Sequence, residues 1–226
     1  MRRLFLVTEI LVLAGLLAAI GADVCGRLQP PAAGTAARPL DPAFIRLSPA
    51  EVAALPLATR WDAPMGSEHG ALTYNAQPFR VTRHMGDDLN GIGGYNSDQG
   101  DPVYAAAAGT VVYCGVPGEG WGNMVILAHR IHNPETGAQE VVQSMYAHME
   151  KVLVHPGQTL VRGEQLGTVG TAGGHYWAHL HFEVRLGPYV NPSVGYADAP
   201  LNRTSPEGFV AAHRGAPEGL LNAAPR

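Results

Sequence analysis

At 226 residues and 46% hydrophobic content, the chain has material for one ordinary domain with terminal extensions. The 15 Lys and Arg set against 19 Asp and Glu give a net charge of -4, which excludes the basic footprint of a nucleic-acid binder. With 28 Gly, 18 Pro and few long apolar-periodic runs, the composition favours a mostly β protein with many turns. Ten histidines are many for this length and direct attention to metal or acid–base chemistry.

The chain opens Met1-Arg2-Arg3 and continues in an apolar run from Leu4 to Gly21. A basic start, an apolar stretch and small residues at Gly21-Ala22 predict a secretory signal over residues 1–22. Glu9 interrupts the run, and an uncleaved membrane anchor over residues 4–21 is the second reading, because the run approaches spanning length. Ala22-Asp23-Val24 is a poor lipoprotein-processing site ahead of Cys25. Both readings place the rest of the chain in the periplasm or outside the cell. Export permits a disulfide, but nothing in the positions of Cys25 and Cys114 favours pairing them.

Residues 23–64 are expected to be a linker with one short helix. The segment to about residue 47 is rich in Pro, Ala and Gly. Ser48-Pro49-Ala50-Glu51 then supplies an N-cap, a first-turn proline and a glutamate that can reach back, so a helix is predicted over Pro49–Leu55, ending before Pro56. Residues 65–192 carry the strand candidates Ala71–Phe79, Val103–Ala107, Thr110–Cys114, Met124–His129, Val141–Met149, Gln165–Val169 and His179–Arg185. Arg80–Asn90 is a dense polar cluster, Gly91–Gly100 a glycine-rich loop, and Asn133–Gly137 a hairpin tip. The expected fold is mostly β: a compact antiparallel sheet or barrel-like sandwich, with short helices only in the flanking segments. Residues 193–226 form a C-terminal extension, in which Ser205-Pro206-Glu207 starts a helix through Ala212 and the residues from Gly215 are poorly ordered.

The chemistry centres on His179-Leu180-His181. On a strand, both imidazoles face one side while Leu180 and Phe182 face a core. Alone, the pair reads equally well as two surface histidines. Two further segments supply partners. His84 and Asp88 lie four apart around Gly86, and both are normal zinc ligands. With one histidine of the terminal pair they would make three ligands and leave a fourth position for water, the arrangement of a catalytic site. Tyr146 and His148 share a strand face, and His148 could join His179 in proton handling.

The ordered series His84-x-Gly-x-Asp88, Gly100-Asp-Pro-Val-Tyr-Ala-Ala-Ala-Ala-Gly109, Gly120-Trp-Gly-Asn123, Tyr146-Ala-His148 and His179-Leu-His-Phe-Glu183 resembles the lysostaphin- or LytM-type zinc metalloendopeptidases over residues 80–186. That resemblance implies a duplicated-hybrid-motif β fold, with Zn²⁺ held by His84, Asp88 and His181. It implies His148 and His179 as the catalytic pair that does not ligate the metal. It further implies an exported peptidoglycan hydrolase, a monomer, acting on the peptide stems of the cell wall and cutting their cross-links through a zinc-activated water. A non-catalytic wall-binding activator of other hydrolases and a secreted protease acting on proteins are the alternatives.

Members of the family often use a tyrosine upstream of the first ligand, for which Tyr74 is the nearest candidate. Where many relatives have a Gly-Pro step, this chain has Gly173-Gly-His-Tyr-Trp-Ala178, so His175 is an added groove-wall histidine. The Gly91–Gln99 insertion and the Asn133–Gly137 hairpin are expected to extend loops and narrow the groove. His129 is expected to pack or hydrogen-bond near the site without ligating, and His69, His132, His155 and His213 to face solvent. Glu68, His69 and Asn75 are possible donors of a side chain that blocks the open metal position.

Overall fold

The computed structural model describes residues 45–133 and 136–215. The predicted signal or anchor, Cys25, the linker up to residue 44 and the tail from residue 216 lie outside the described residues. None of the described helices is long and apolar enough to cross a membrane.

The chain runs through β1 (Ile45–Arg46), α1 (Pro49–Ala54), β2 (Thr73–Gln77), β3 (Asp87–Gly91), β4 (Pro102–Tyr104), β5 (Gly109–Gly115) and β6 (Asn123–His132). It continues through β7 (Gln139–Met149), β8 (Lys151–Val152), β9 (Thr159–Leu160), β10 (Gln165–Thr168), β11 (Leu180–Leu186), β12 (Tyr189–Val190), β13 (Arg203–Thr204) and α2 (Pro206–Ala212). A principal sheet has the order β2-β3-β11-β7-β6-β5-β9, with β13 added to β11. A three-stranded sheet, β4-β10-β8, and a two-stranded pair, β1-β12, complete the antiparallel architecture. The mostly β expectation holds: among the described residues the α-helices are confined to the flanks, and a single 3-10 turn lies at Ala172–Gly174 beside the site.

The central strands β6 and β7 are buried on both faces. Val125, Leu127, Val142 and Tyr146 face a core shared with Leu180, Phe182 and Leu166. Met124, Ile126, Met145 and Ala147 face a second cluster closed by Leu47, Leu55 and Val190. This explains why β6 carries an unbroken apolar run rather than an alternating one. The main core also takes in Ala58, Trp61 and Val210 from segments on either side of 65–192.

Local chemistry sets several elements as expected. The Ser48 side chain accepts from Glu51 N, and Ser48 N donates to the Glu51 carboxylate at 2.7 Å, so α1 begins with a capping box. Ser205 caps α2 through Gly208 N. β6 and β7 pair from His132↔Gln139 inward, as a hairpin requires.

Two expectations need correction. Asp87–Gly91 is a strand, although it reads as a polar cluster, because Asp88 and Leu89 pair directly with His181 and Leu180 on β11. His213 does not simply face solvent: its ring stacks on Phe209 with centroids 3.9 Å apart, and its carbonyl accepts from Trp61 N.

Candidate metal centre and groove

β11 alternates as its sequence predicts. Leu180, Phe182 and Val184 enter the core, while His181, Glu183 and Arg185 occupy the opposite face, buried as well. Antiparallel register sets Asp88 directly across from His181. His84 arrives from the turn before β3. The three inner atoms converge: His84 Nε2 lies 2.9 Å from His181 Nδ1 and 3.2 Å from Asp88 Oδ1, and the last two are 3.0 Å apart. His179 Nε2 is 3.6 Å from the same carboxylate oxygen. The His148 ring lies 4.7 Å from that of His179 and 5.5 Å from that of His181. The five residues singled out from sequence therefore meet in one place.

Tyr146 and His148 do not share a face. Tyr146 packs against Phe182 in the core, and its hydroxyl accepts from Ala106 N at 2.9 Å. His148 has φ +64°, which breaks the strand alternation and swings its ring into the histidine cluster. This left-handed backbone costs about 1–2 kcal/mol for a residue with a Cβ. The Trp121 carbonyl holds it there, accepting from both His148 N at 2.9 Å and Nδ1 at 3.1 Å. Gly122 follows because a Cβ there would meet Ala172 Cα at 2.7 Å.

The outer nitrogens of all four histidines decide what the inner ones can do. His84 Nδ1 faces the Gln77 carbonyl at 3.2 Å, and His148 Nδ1 faces that of Trp121. His179 Nδ1 faces the Trp177 carbonyl at 2.8 Å, and His181 Nε2 faces the Glu183 carboxylate at 3.0 Å. Carbonyl and carboxylate oxygens only accept, so each outer nitrogen carries the proton and each inner nitrogen of a neutral ring presents a bare lone pair. With the rings neutral, four lone pairs and a carboxylate line one small space, and the proton that Asp88 and Glu183 draw onto His181 is a cation the fold itself can place there. Such a surface calls for a cation. Two imidazole nitrogens and a carboxylate oxygen are a normal donor set for Zn²⁺, and His84, Asp88 and His181 can provide it. Their outer hydrogen bonds are the kind that orient metal-bound imidazoles.

Charge distribution agrees. Burial opposes ionisation of Asp88, but hydrogen bonds and charge from His181 and His84 hold it ionised well below the usual carboxylate range. Burial also opposes a proton on His181, yet Asp88 and Glu183 outweigh it and push its pKa up to about 9. Burial first, then the charges at His181 and His179, drive His148 down to about 3. The space therefore favours one cationic occupant and keeps His148 a neutral base.

A cavity of about 310 Å³ surrounds the cluster, walled by Gln77, Glu119, Trp121, Tyr176 and Tyr196. It opens past Asp88 and His179 into a groove of about 710 Å³ lined by Asn90, Asn96, Gln99, His175 and Trp177. The Gly91–Gln99 loop builds one wall. Asn96 Oδ1 accepts from Ala178 N at 2.8 Å, and Tyr95 meets Trp177 edge-on at 5.5 Å. His175 lies on the wall, as expected.

Several important groups had little or no signal in the sequence. The carbonyls of Gln77, Trp121 and Trp177 are backbone groups and leave no trace in residue type. Glu183 did have one: it continues the period-two face of His179 and His181. Tyr74 instead lines a separate pocket with His69, Asn75 and Arg214, and the tyrosines beside the histidines are Tyr176 and Tyr196. Glu68 and His69 pair with each other at 3.1 Å.

The model of Peptidase family M23 matches residues 89–192, which include His148, His179 and His181 and begin just after Asp88. Lipoprotein NlpD of Yersinia enterocolitica is 34% identical over 95 residues, 42% of this chain and 88% of that one. DD-carboxypeptidase/endopeptidase Mpg of Neisseria meningitidis is 34% identical over 156 residues, 68% of this chain and 31% of that one. Cell division protein DipM of Caulobacter vibrioides is 33% identical over 120 residues, 53% of this chain and 18% of that one. The chain spans between 18% and 32% of the length of the first five curated relatives it matches. The histidine cluster and these similarities lead to one conclusion: the chain belongs to peptidase family M23.

Proposed function

We propose that the chain is an exported zinc metalloendopeptidase that hydrolyses peptide cross-links of bacterial peptidoglycan, with His84, Asp88 and His181 as the metal ligands. The observation that carries this reading is the convergence of the inner nitrogens of four histidines on the Asp88 carboxylate, with each outer nitrogen held by an accepting oxygen. The wall substrate and envelope location draw support from relatives named as an endopeptidase and as lipoproteins.

His84, Asp88 and His181 would hold Zn²⁺, which would supply Lewis acidity to a water and a scissile carbonyl. The remaining work falls to the chain's own groups. His148 and His179 each hold Nδ1–H on a backbone carbonyl and leave Nε2 free, so each is poised as a base. One accepts the proton of the attacking water. Once protonated, it is an N–H donor that can stabilise the developing oxyanion and return a proton to the leaving amine. The polar groove beside Asn90, Asn96 and Gln99 offers amide groups to an extended peptide.

Purified sacculi test the proposal. The protein is expected to release soluble muropeptides, to stop after chelation, and to resume when zinc is restored. Cleavage of a protein substrate with no release from sacculi would contradict the wall substrate. Binding to sacculi without release of any fragment would favour a non-catalytic role.

A further inference from the structure

We propose that Glu183 is a positioning residue that fixes the proton of His181 on Nε2, and that its second oxygen, anchored by Arg185 with Arg203 alongside, leaves the first to face the histidine. This rests on the zinc reading above. Glu183 is fully buried on β11, two residues from His181 on the same strand face. Its two oxygens are divided. Oε1 accepts from His181 Nε2 at 3.0 Å. Oε2 accepts from Arg185 Nε at 2.7 Å and from Arg203 Nε at 3.0 Å.

The arginines are themselves fixed. Arg185 Nη1 donates to the Asn191 carbonyl. Arg203 donates to Asn202 Oδ1 at 3.0 Å and to the Ser193 carbonyl at 3.1 Å. Two and three residues on, Gly195 and Tyr196 contact the other metal-binding segment: Met85 N donates to the Gly195 carbonyl, and the Tyr196 ring lies 5.4 Å from His84. Arg203 lies beyond the family match, which ends at residue 192. The segment after Pro192 is thus wired into both sides of the metal centre.

The division of the carboxylate makes a specific prediction for Glu183→Gln. An amide has one accepting end and one donating end. Two arginines that only donate require the amide oxygen on their side. The NH₂ then faces His181 Nε2, which must accept, and the imidazole proton moves to Nδ1. That is the nitrogen turned toward His84 and Asp88. The substitution changes few atoms but presents an N–H where a metal ligand is needed. Loss of such an outer partner typically weakens metal binding about 10- to 100-fold. Arg203→Met disturbs the same buried network but leaves a carboxylate facing His181, so it separates positioning from general support of the fold.

The test is the zinc dissociation constant of the full chain, measured by competition with a chromogenic chelator below the melting temperature. Wild type and Arg203→Met are expected to agree within about threefold, and Glu183→Gln to bind about 10- to 100-fold more weakly. Equal affinity in wild type and Glu183→Gln would overturn the proposal, as would an equally large loss in Arg203→Met. If Glu183→Gln does not fold, the ¹⁵N-resolved imidazole spectrum of the zinc-loaded wild type decides. A proton on His181 Nε2 with Nδ1 bound to zinc is expected, and the reverse assignment overturns the proposal. Wild type that binds no zinc would instead sink the zinc reading itself.

Discussion

His129 on β6 and His181 on β11 are buried alike, 0% and 2% exposed, yet their nitrogens are placed quite differently. His129 donates Nδ1–H to the Ala108 carbonyl at 2.7 Å and accepts the Ser144 hydroxyl on Nε2 at 2.7 Å, with Trp61 packed 4.7 Å away. Both of its nitrogens are satisfied within the fold. His181 has one nitrogen on Glu183 and turns the other toward His84 and Asp88, and His84, His148 and His179 follow the same plan. Burial therefore does not set the clustered histidines apart. Convergence of inner nitrogens on one carboxylate does.

The largest effect expected from this contrast comes from the carboxylate on which the inner nitrogens converge, Asp88. Asp88→Ala removes the negative charge facing His84, His179 and His181, and both zinc content and release of muropeptides should fall to the level of a blank digest. An Asp88→Ala protein that still carries a full equivalent of zinc would break the ligand assignment. His148→Ala should keep its zinc and lose about 10²- to 10⁴-fold in kcat, as expected when a general base is removed. Unchanged kcat would show that His179 alone handles the protons.

On the apolar face of β11, Phe182→Ala should cost about 3–5 kcal/mol in a denaturant melt while zinc per folded chain stays constant. A loss of zinc from the folded protein would show that the two faces are not independent.

The smallest effect concerns His129. Burial lowers its pKa to about 4 from 6.5, so on acidification the unfolded chain takes up the proton first. Stability is complete above about pH 6.5 and declines toward pH 4 by up to about 1.4 kcal/mol per pH unit for this group. In the metal-free protein, His129→Gln should flatten the fall in melting temperature over that range by one proton's share. An unchanged slope would contradict the placement of a neutral histidine in the core.

Sequence alone made the alternation around His179-Leu180-His181 legible, because period two on a strand is local geometry. The capping boxlike start at Ser48 and the β6–β7 hairpin were legible for the same reason. The strand at Asp87–Gly91 was hidden, since Asp-Asp-Leu-Asn-Gly has poor strand propensity and pairs only because β2 and β11 flank it. The turn of His148 into the site was hidden too, because it depends on a positive φ and on the Trp121 carbonyl. His129 and His213 show the converse. Nothing in their neighbours along the chain reveals that Ser144 and Trp61 bond or pack with His129, or that the His213 carbonyl accepts from Trp61 N.

Zinc content per folded chain in His181→Ala and His179→Ala tests the central division of labour most directly. The first is expected to lose the metal and the second to retain close to one equivalent, with both inactive on sacculi. Retention of zinc in His181→Ala, or its loss in His179→Ala, would contradict the assignment of one histidine to the metal and the other to the proton.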